Sequence, residues 1–228
     1  ALSIGAFALA VLASPSEQPS GQPSAAASER PPAVLDARTV RRALAVSVPM
    51  ALWVFSTVTM SIVVLAGRMT EFSGPWVPGA ASLVTLGTGL ATQIVARRRG
   101  WGPWSGVVGA GLAAVGLSIT ALAGSSPSAW MFALCALCLG CAYGLCLRDG
   151  LTDVDLLAPP ARRGSALGVF YVCTYLGFAL PVVLEAIRPS AGVVAPMIVL
   201  AGLAAVSALI RSAQIPRVYG AALRRART

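Results

Sequence analysis

The chain has 228 residues, of which 57% are hydrophobic and only 11% charged, whereas about a quarter of the residues in an ordinary soluble domain are charged. Its net charge of +9 comes from 17 arginines, with no lysine, against eight acidic residues. There is no histidine, which excludes Ser-His-Asp and Cys-His nucleophiles and any histidine-ligated metal site.

The chain opens with an apolar segment, residues 1–13, that is too short to cross a bilayer. It is either the end of a truncated transmembrane helix or the apolar part of a signal peptide, followed by small residues typical of a cleavage site. The lack of a basic segment in front of it favours the truncated helix. Residues 14–39 are rich in Pro, Ser and Ala, and we expect a disordered linker there because they offer little apolar surface to bury.

Six apolar segments follow within residues 40–212, each close to the roughly 20 residues that a helix needs to cross a hydrocarbon core about 30 Å thick. None contains a charged residue, in agreement with the cost of about 2.5–3.5 kcal/mol for an arginine at mid-membrane. Numbered first to sixth in chain order, the predicted spans are 43–66, 77–96, 105–123, 129–147, 165–184 and 193–210. The sequence therefore predicts an all-α integral membrane bundle of six transmembrane helices, followed by a basic tail at 213–228.

The arginines are concentrated in alternate connections between these spans. The segment before the first span, the second and fourth connections and the segment after the sixth span hold all of them except Arg68 and Arg188. The positive-inside rule then predicts a multi-pass plasma-membrane protein, embedded in the lipid bilayer, whose linker and tail are cytoplasmic. Nucleic-acid binding is disfavoured because it requires a basic face on a soluble domain. The arginine-only, Ala- and Gly-rich usage is typical of a GC-rich bacterial genome.

The connection after the fourth span, "LRDGLTDVDLLAPPARRG", carries Asp149, Asp153 and Asp155. Three carboxylates can bind Mg²⁺ or Ca²⁺, but an EF-hand needs further ligands and a terminal Glu that this segment lacks. The alternative is a solvated corner in which the acids pair with nearby arginines and Pro159-Pro160 interrupts the helix. We favour the solvated corner, and we expect no metal and no cofactor.

Small residues in the third and fourth spans also have two interpretations. Cys135, Cys138, Cys141 and Cys146 approach the spacing of a ferredoxin cluster, but a helix points successive cysteines in different directions. We therefore predict that they are packing residues. Glycine pairs at four-residue spacing, 102 with 106 and 140 with 144, predict places where helices approach closely.

Six spans behind a long basic linker resemble the C-terminal half of a major facilitator superfamily transporter, in which a cytoplasmic loop joins two six-helix bundles. The connection between the second and third spans resembles that family's loop pattern, Gly-x-x-x-Asp-Arg-x-Gly-Arg-Arg. In "GLATQIVARR", Gly89, Arg97 and Arg98 match, whereas Gln93 replaces the Asp. The run "GVFYVCTYLGFALP" is similar to the eleventh helix of bacterial members.

The resemblance implies a central cavity lined by the first, second, fourth and fifth spans. Tyr171, Tyr175 and Phe178 share one helical face within the fifth of them. The candidate substrate-binding residues are Trp53, Thr57, Thr88, Tyr143, Tyr171, Tyr175 and Phe178, and the candidate conformational loop motif is Gly89, Gln93, Arg97 and Arg98.

The resemblance further implies transport of a small-molecule solute by alternating access, with the missing N-terminal six-helix half as a partner. A mostly apolar lining with aromatic rings favours an amphipathic or drug-like solute, exported rather than imported. The alternative is a non-transporting membrane scaffold, or a remnant bundle, that binds a partner membrane protein; its polar side chains would then only bond their own helices or pack. An enzyme is disfavoured because no catalytic set is present.

Overall fold

The computed structural model describes the backbone of residues 33–69 and 74–225 and the side chains of 39–69 and 74–220. The described chain is helical apart from short turns, with no strand in these ranges. Six helical segments within it are long and apolar enough to cross a membrane: Thr39–Arg68, Trp76–Arg98, Trp104–Ala123, Ala129–Leu157, Pro160–Ala191 and Val194–Gly220. The predicted all-α membrane bundle of six spans is confirmed.

Three helices continue beyond the apolar segments that the sequence predicts as spans. The helix of the first span begins at Ala33, so residues 33–39 are helical, although the sequence placed them in the disordered linker. The helix of the sixth span is Val194–Arg225 and includes most of the predicted tail. The helix of the fourth span is Ala129–Leu157, so the Asp-rich connection is largely helical. The predictions for residues 1–13 and 14–32 lie outside the described residues.

The second and third spans, Trp76–Arg98 and Trp104–Ala123, match their predicted bounds to within two residues. Both helices follow a proline, at positions 75 and 103, whose fixed φ suits the entry to a helix.

The first span is irregular in its last third and the fifth near its middle. In the first, the helix Ala33–Thr59 is followed by a π-helical segment, Met60–Leu65, and a 3₁₀ turn, Ala66–Arg68. The fifth begins with a 3₁₀ turn, Pro160–Arg162, and its two helices, Arg163–Tyr175 and Leu180–Ala191, are separated by a 3₁₀ segment, Leu176–Ala179. Changes of helix type inside a span often mark hinges or functional sites.

The core lies where the third and fourth spans meet the first and the sixth. Small residues allow this packing: a Cβ at Gly109 would lie 2.9 Å from Leu145 Cβ, and one at Gly116 would lie 2.7 Å from Leu139 Cδ2. Met50 and Phe170 are fully buried between the spans. The first span is the most enclosed: 56% of an apolar stretch of 18 residues within it is buried.

Tryptophans mark the two ends of the bundle. Trp76 and Trp130 are exposed at the end where the second and fourth spans begin, and Trp101 and Trp104 at the end where the third begins. Such tryptophans are typical of the two membrane–water interfaces. Because Arg97, Arg98 and Arg99 lie beside Trp101, we call this second end the arginine-rich end.

Candidate functional site

Four aromatic rings from three spans form a stacked group, which we call the aromatic patch: Phe55, Tyr143, Tyr175 and Phe178. The ring centroid of Phe55 lies 4.7 Å from that of Phe178 and 5.3 Å from that of Tyr175, with interplanar angles of 26° and 16°. The ring centroid of Tyr143 lies 6.5 Å from that of Phe55, with an interplanar angle of 26°. Near-parallel rings at these separations are a favourable stacking geometry.

The patch forms where the first and fifth spans come unusually close together. A Cβ at Gly177 would lie 2.7 Å from the carbonyl carbon of Phe55 and 3.0 Å from Ser56 Oγ, so only glycine fits there. The hydroxyl of Thr59 donates to the carbonyl oxygen of Gly177 at 3.0 Å and contacts that of Phe55 at 2.9 Å. Thr59 immediately precedes the π-helical segment and Gly177 lies in the 3₁₀ segment, so the two irregular regions are joined at this point.

One side of the patch is open. Tyr175 is 56% exposed and Phe178 is 49% exposed, whereas Phe55 and Tyr143 are partly buried beneath them. Tyr171 lies one turn away on the same exposed face and packs edge-on against Phe170, with ring centroids 5.8 Å apart. The structure therefore brings Tyr143, Tyr175 and Phe178 together, with Tyr171 at the edge of the group.

Two candidate cavity residues are not on the open face. The indole N–H of Trp53 donates to Ser207 Oγ of the sixth span at 2.9 Å, and the side chain is buried inside the bundle. Thr57 is fully buried, and its hydroxyl donates to the carbonyl oxygens of Trp53 and Val54 on its own helix. The bond to the sixth span holds Trp53 inside the bundle, whereas Phe55 belongs to the aromatic patch; a role of Trp53 and Thr57 in solute binding stays a prediction.

Phe55 is the residue that sequence reasoning missed. Trp53 and Phe55 are both aromatic residues at mid-span, and nothing in the sequence shows which of them faces Ser207. The proximity of Gly177 is equally invisible without the fold.

The loop-motif glycine and the predicted glycine pair 140/144 have the same role. A Cβ at Gly89 would clash with the ring of Tyr143, and one at Gly140 would meet Thr85 backbone and the side chain of Thr88. The second and fourth spans therefore approach closely here, as predicted for Gly140 and Gly144. In the other pair, Gly106 is tightly packed but Gly102 has open space around it.

The cysteines contact different spans. Thr92 Oγ1 of the second span lies 3.3 Å from Cys141 Sγ, whereas Thr120 Oγ1 of the third lies 3.7 Å from Cys135 Sγ. Cys146 is buried against Gly109. These contacts agree with the prediction that they are packing residues.

A second group lies at the arginine-rich end and corrects the prediction for the Asp-rich connection. Asp149, Asp153 and Arg211, which we call the buried charge cluster, have side chains 3%, 1% and 0% exposed. Arg211 Nη2 lies 2.8 Å from Asp149 Oδ2, and Nη1 lies 2.8 Å from Asp153 Oδ2. The predicted solvated corner is wrong for these two acids. It holds for Asp155, which pairs with Arg163 at 2.9 Å on the surface.

The continued helix of the fourth span explains this burial. Asp149 and Asp153 are four residues apart on one helical face, which is turned towards the sixth span. Gly106 of the third span leaves room, because a Cβ there would clash with the Asp149 carboxylate. Ser105 Oγ donates to Asp149 Oδ1 at 3.2 Å, and the hydroxyl of Tyr219 donates to Asp153 Oδ1.

The family model of the Major Facilitator Superfamily matches residues 1–182. No protein of curated function and no solved structure matches the chain.

Proposed function

This chain belongs to the major facilitator superfamily, a family of transporters, and we propose that its aromatic patch lines the path of a small amphipathic solute that has a flat aromatic part. The observation that carries the proposal is the near-parallel stacking of Phe55, Tyr175 and Phe178 beneath an open face. A planar ring of a solute can extend such a stack, gaining dispersion and quadrupole interactions. The hydroxyls of Tyr143 and Tyr175, the two tyrosines of the patch, supply polar groups that can orient the solute.

Alternating access is the proposed mechanism, and the irregular segments are its proposed hinge. Thr59 and Gly177 join the π-helical and 3₁₀ segments directly beside the patch. A helix whose hydrogen-bond register changes bends there more easily than in a regular turn. Movement at this point would change the spacing of the rings and therefore the affinity of the aromatic patch for a solute.

A second six-helix bundle is the proposed partner of this one, since alternating access requires two bundles to move about a shared site. The second and fifth spans are the least buried of the six. In each of them, 22% of an apolar stretch of 18 residues is buried. The exposed face of Tyr171, Tyr175 and Phe178 belongs to the fifth. We therefore propose that this face looks towards the second bundle and that the solute lies between them.

The test is solute accumulation in cells that express the intact transporter, measured over a panel of amphipathic solutes with and without a planar aromatic group. Tyr175→Ala removes one ring of the stack, and Tyr175→Phe keeps the ring and removes only the hydroxyl. We expect Tyr175→Ala to change transport of the planar solutes about tenfold, because one aromatic contact is worth about 0.5–1.5 kcal/mol beyond its buried area. Tyr175→Phe should stay within about threefold of the wild type for these solutes.

Leu203→Ala is the control for a general packing effect, since Leu203 is 51% exposed on the sixth span, away from the patch. Equal transport of every solute by Tyr175→Ala and the wild type, at equal protein levels, would reduce the aromatic patch to a packing surface. An equal loss in Leu203→Ala would show that the effect is not specific to the patch.

A further inference from the structure

A groove of about 610 Å³ lies between the second and fourth spans at the arginine-rich end. Arg97 and Arg98 line it from the second span and Arg148 lines it from the fourth. Its apolar lining includes Leu90 and Ile94, which precede these arginines by one to two helical turns. The groove thus combines guanidinium groups with an apolar wall.

No described carboxylate forms an ion pair with Arg97, Arg98 or Arg148. The acids whose side chains the structure describes are all paired elsewhere: Asp149 and Asp153 with Arg211, Asp155 with Arg163, and Glu185 with Arg188. Arg148 donates to two neutral acceptors, the carbonyl oxygen of Trp101 at 2.7 Å and Ser105 Oγ at 3.4 Å. Ser105 also donates to Asp149, which shares Arg211 with Asp153, so these acids offset part of the Arg148 charge without contacting it. Like charges gathered in one groove repel one another, so an anion bound there is favoured.

The position of the groove identifies the kind of anion. The bond from Arg148 to Trp101 places its guanidinium at the level of the tryptophans that mark the membrane–water interface. Lipid phosphates lie at this level, and basic pockets between helices bind anionic headgroups. Leu90 is 60% exposed and Ile94 is 45% exposed, and both lie deeper in the bundle than Arg97. A soluble phosphate would use only the arginines, whereas a lipid would use the apolar wall as well.

We propose that this groove binds one anionic phospholipid, whose phosphate is held by Arg97, Arg98 and Arg148 and whose acyl chain lies along Leu90 and Ile94. Guanidinium groups bind phosphate oxygens through paired, charge-assisted hydrogen bonds. The site does not depend on the identity of the transported solute. In this proposal Arg97 and Arg98, two residues of the loop motif, bind a lipid rather than another part of the protein.

The experiment is native mass spectrometry of the intact transporter released from nanodiscs that contain phosphatidylglycerol and phosphatidylcholine in equal amounts. We expect one retained phosphatidylglycerol on the wild type. The variant Arg97→Gln/Arg98→Gln should lose it, with affinity lower by about tenfold or more. The matched control is Arg99→Gln, which removes the adjacent arginine that does not line the groove, and it should retain the lipid.

A second variant tests the apolar wall without changing any charge. Ile94→Trp places a larger side chain in the groove and should also displace the lipid, whereas Ile198→Trp, at an exposed position of the sixth span, should not. Millimolar inorganic phosphate and glycerol phosphate are added in a parallel series. Neither should displace the lipid, because neither reaches the apolar wall.

Three outcomes would overturn the proposal. The first is equal lipid loss in Arg99→Gln and in the double variant, which would indicate diffuse surface attraction. The second is displacement by inorganic phosphate at millimolar concentration, which would make the ligand a soluble anion. The third is a wild type that retains neither lipid in preference to the other.

Discussion

The aromatic patch and the buried charge cluster are built in similar ways but differ in what they expose. Each forms where two spans approach closely at a glycine, Gly177 for the patch and Gly106 for the cluster. The patch leaves rings open on one side, whereas Asp149, Asp153 and Arg211 are enclosed and satisfied by one another. The buried charge cluster therefore holds the spans together at the arginine-rich end, whereas the aromatic patch leaves exposed rings near the middle of the fifth span.

The energies behind the two regions also differ. Stacked rings contribute about 0.5–1.5 kcal/mol per pair beyond their buried area. A buried ion pair that loses one partner leaves an uncompensated charge, which costs about 3–5 kcal/mol. Variants in the cluster should therefore affect folding first, and variants in the patch should affect transport first.

The largest expected effect is that of Arg211→Met. It leaves Asp149 and Asp153 buried without a cation, and we expect a loss of about 3–5 kcal/mol in the free energy of unfolding. The measurement is the thermal unfolding of the purified protein, followed by intrinsic fluorescence. Arg217→Met, an exposed site on the same helix, is the matched control and should melt like the wild type.

A triple variant sharpens this prediction. Adding Asp149→Asn and Asp153→Asn to Arg211→Met removes the whole set of charges and should recover part of the lost stability, because a neutral cluster carries no unpaired ion. A single variant as stable as the wild type would show that water reaches the cluster and that it does not fix this end of the bundle.

Gly177→Ala is expected to have the second largest effect, because it forces the first and fifth spans apart at the aromatic patch. The added Cβ would meet backbone atoms of Phe55 and Ser56, which cannot yield as a flexible side chain can. We expect a loss of about 1–3 kcal/mol in the free energy of unfolding, as for other overpacked sites. Gly168→Ala in the same span, where a Cβ has open space, should be neutral or slightly stabilising. Equal melting temperatures for the two variants would contradict the close approach.

Asp155→Asn is expected to have the smallest effect. Asp155 and Arg163 form a surface pair whose side chains are 65% and 41% exposed, so we expect a loss below about 1 kcal/mol, reduced further by salt. Asp153→Asn, two residues earlier, removes a buried partner and should cost clearly more. If the two variants melt at the same temperature, the distinction between the buried cluster and the surface pair is wrong.

Hydropathy predicted the apolar segments that can cross a membrane, but not how far the helices extend beyond them. The second and third helices end where their apolar runs end, so their bounds were recovered to within two residues. The fourth continues to Leu157, through residues that hydropathy assigns to a solvated connection. The four-residue spacing of Asp149 and Asp153 was a visible helical signal. Their partner could not be found in this way, because Arg211 lies 58 residues beyond Asp153, directly after the sixth predicted span.

The candidate site was recovered only in part for a similar reason. Helical spacing placed Tyr171, Tyr175 and Phe178 on one face, and the structure confirms that shared exposed face. The spacing could not choose between Trp53 and Phe55, because that choice depends on Ser207 of the sixth span. Contact of these rings with a solute stays a prediction, as do the cytoplasmic location of the arginine-rich end and the direction of transport.

The buried charge cluster has a consequence for the order in which the protein is made. Asp149 and Asp153 leave the ribosome before Arg211, and at about 5–20 residues per second the 58 residues that separate Asp153 from Arg211 take about 3–12 s to synthesise. During that interval the fourth helix carries two acids that have no cation to bury with, so its end must stay hydrated. The fourth helix can bury these acids only when the sixth span has been made, so the sixth span completes the packing of this end of the bundle.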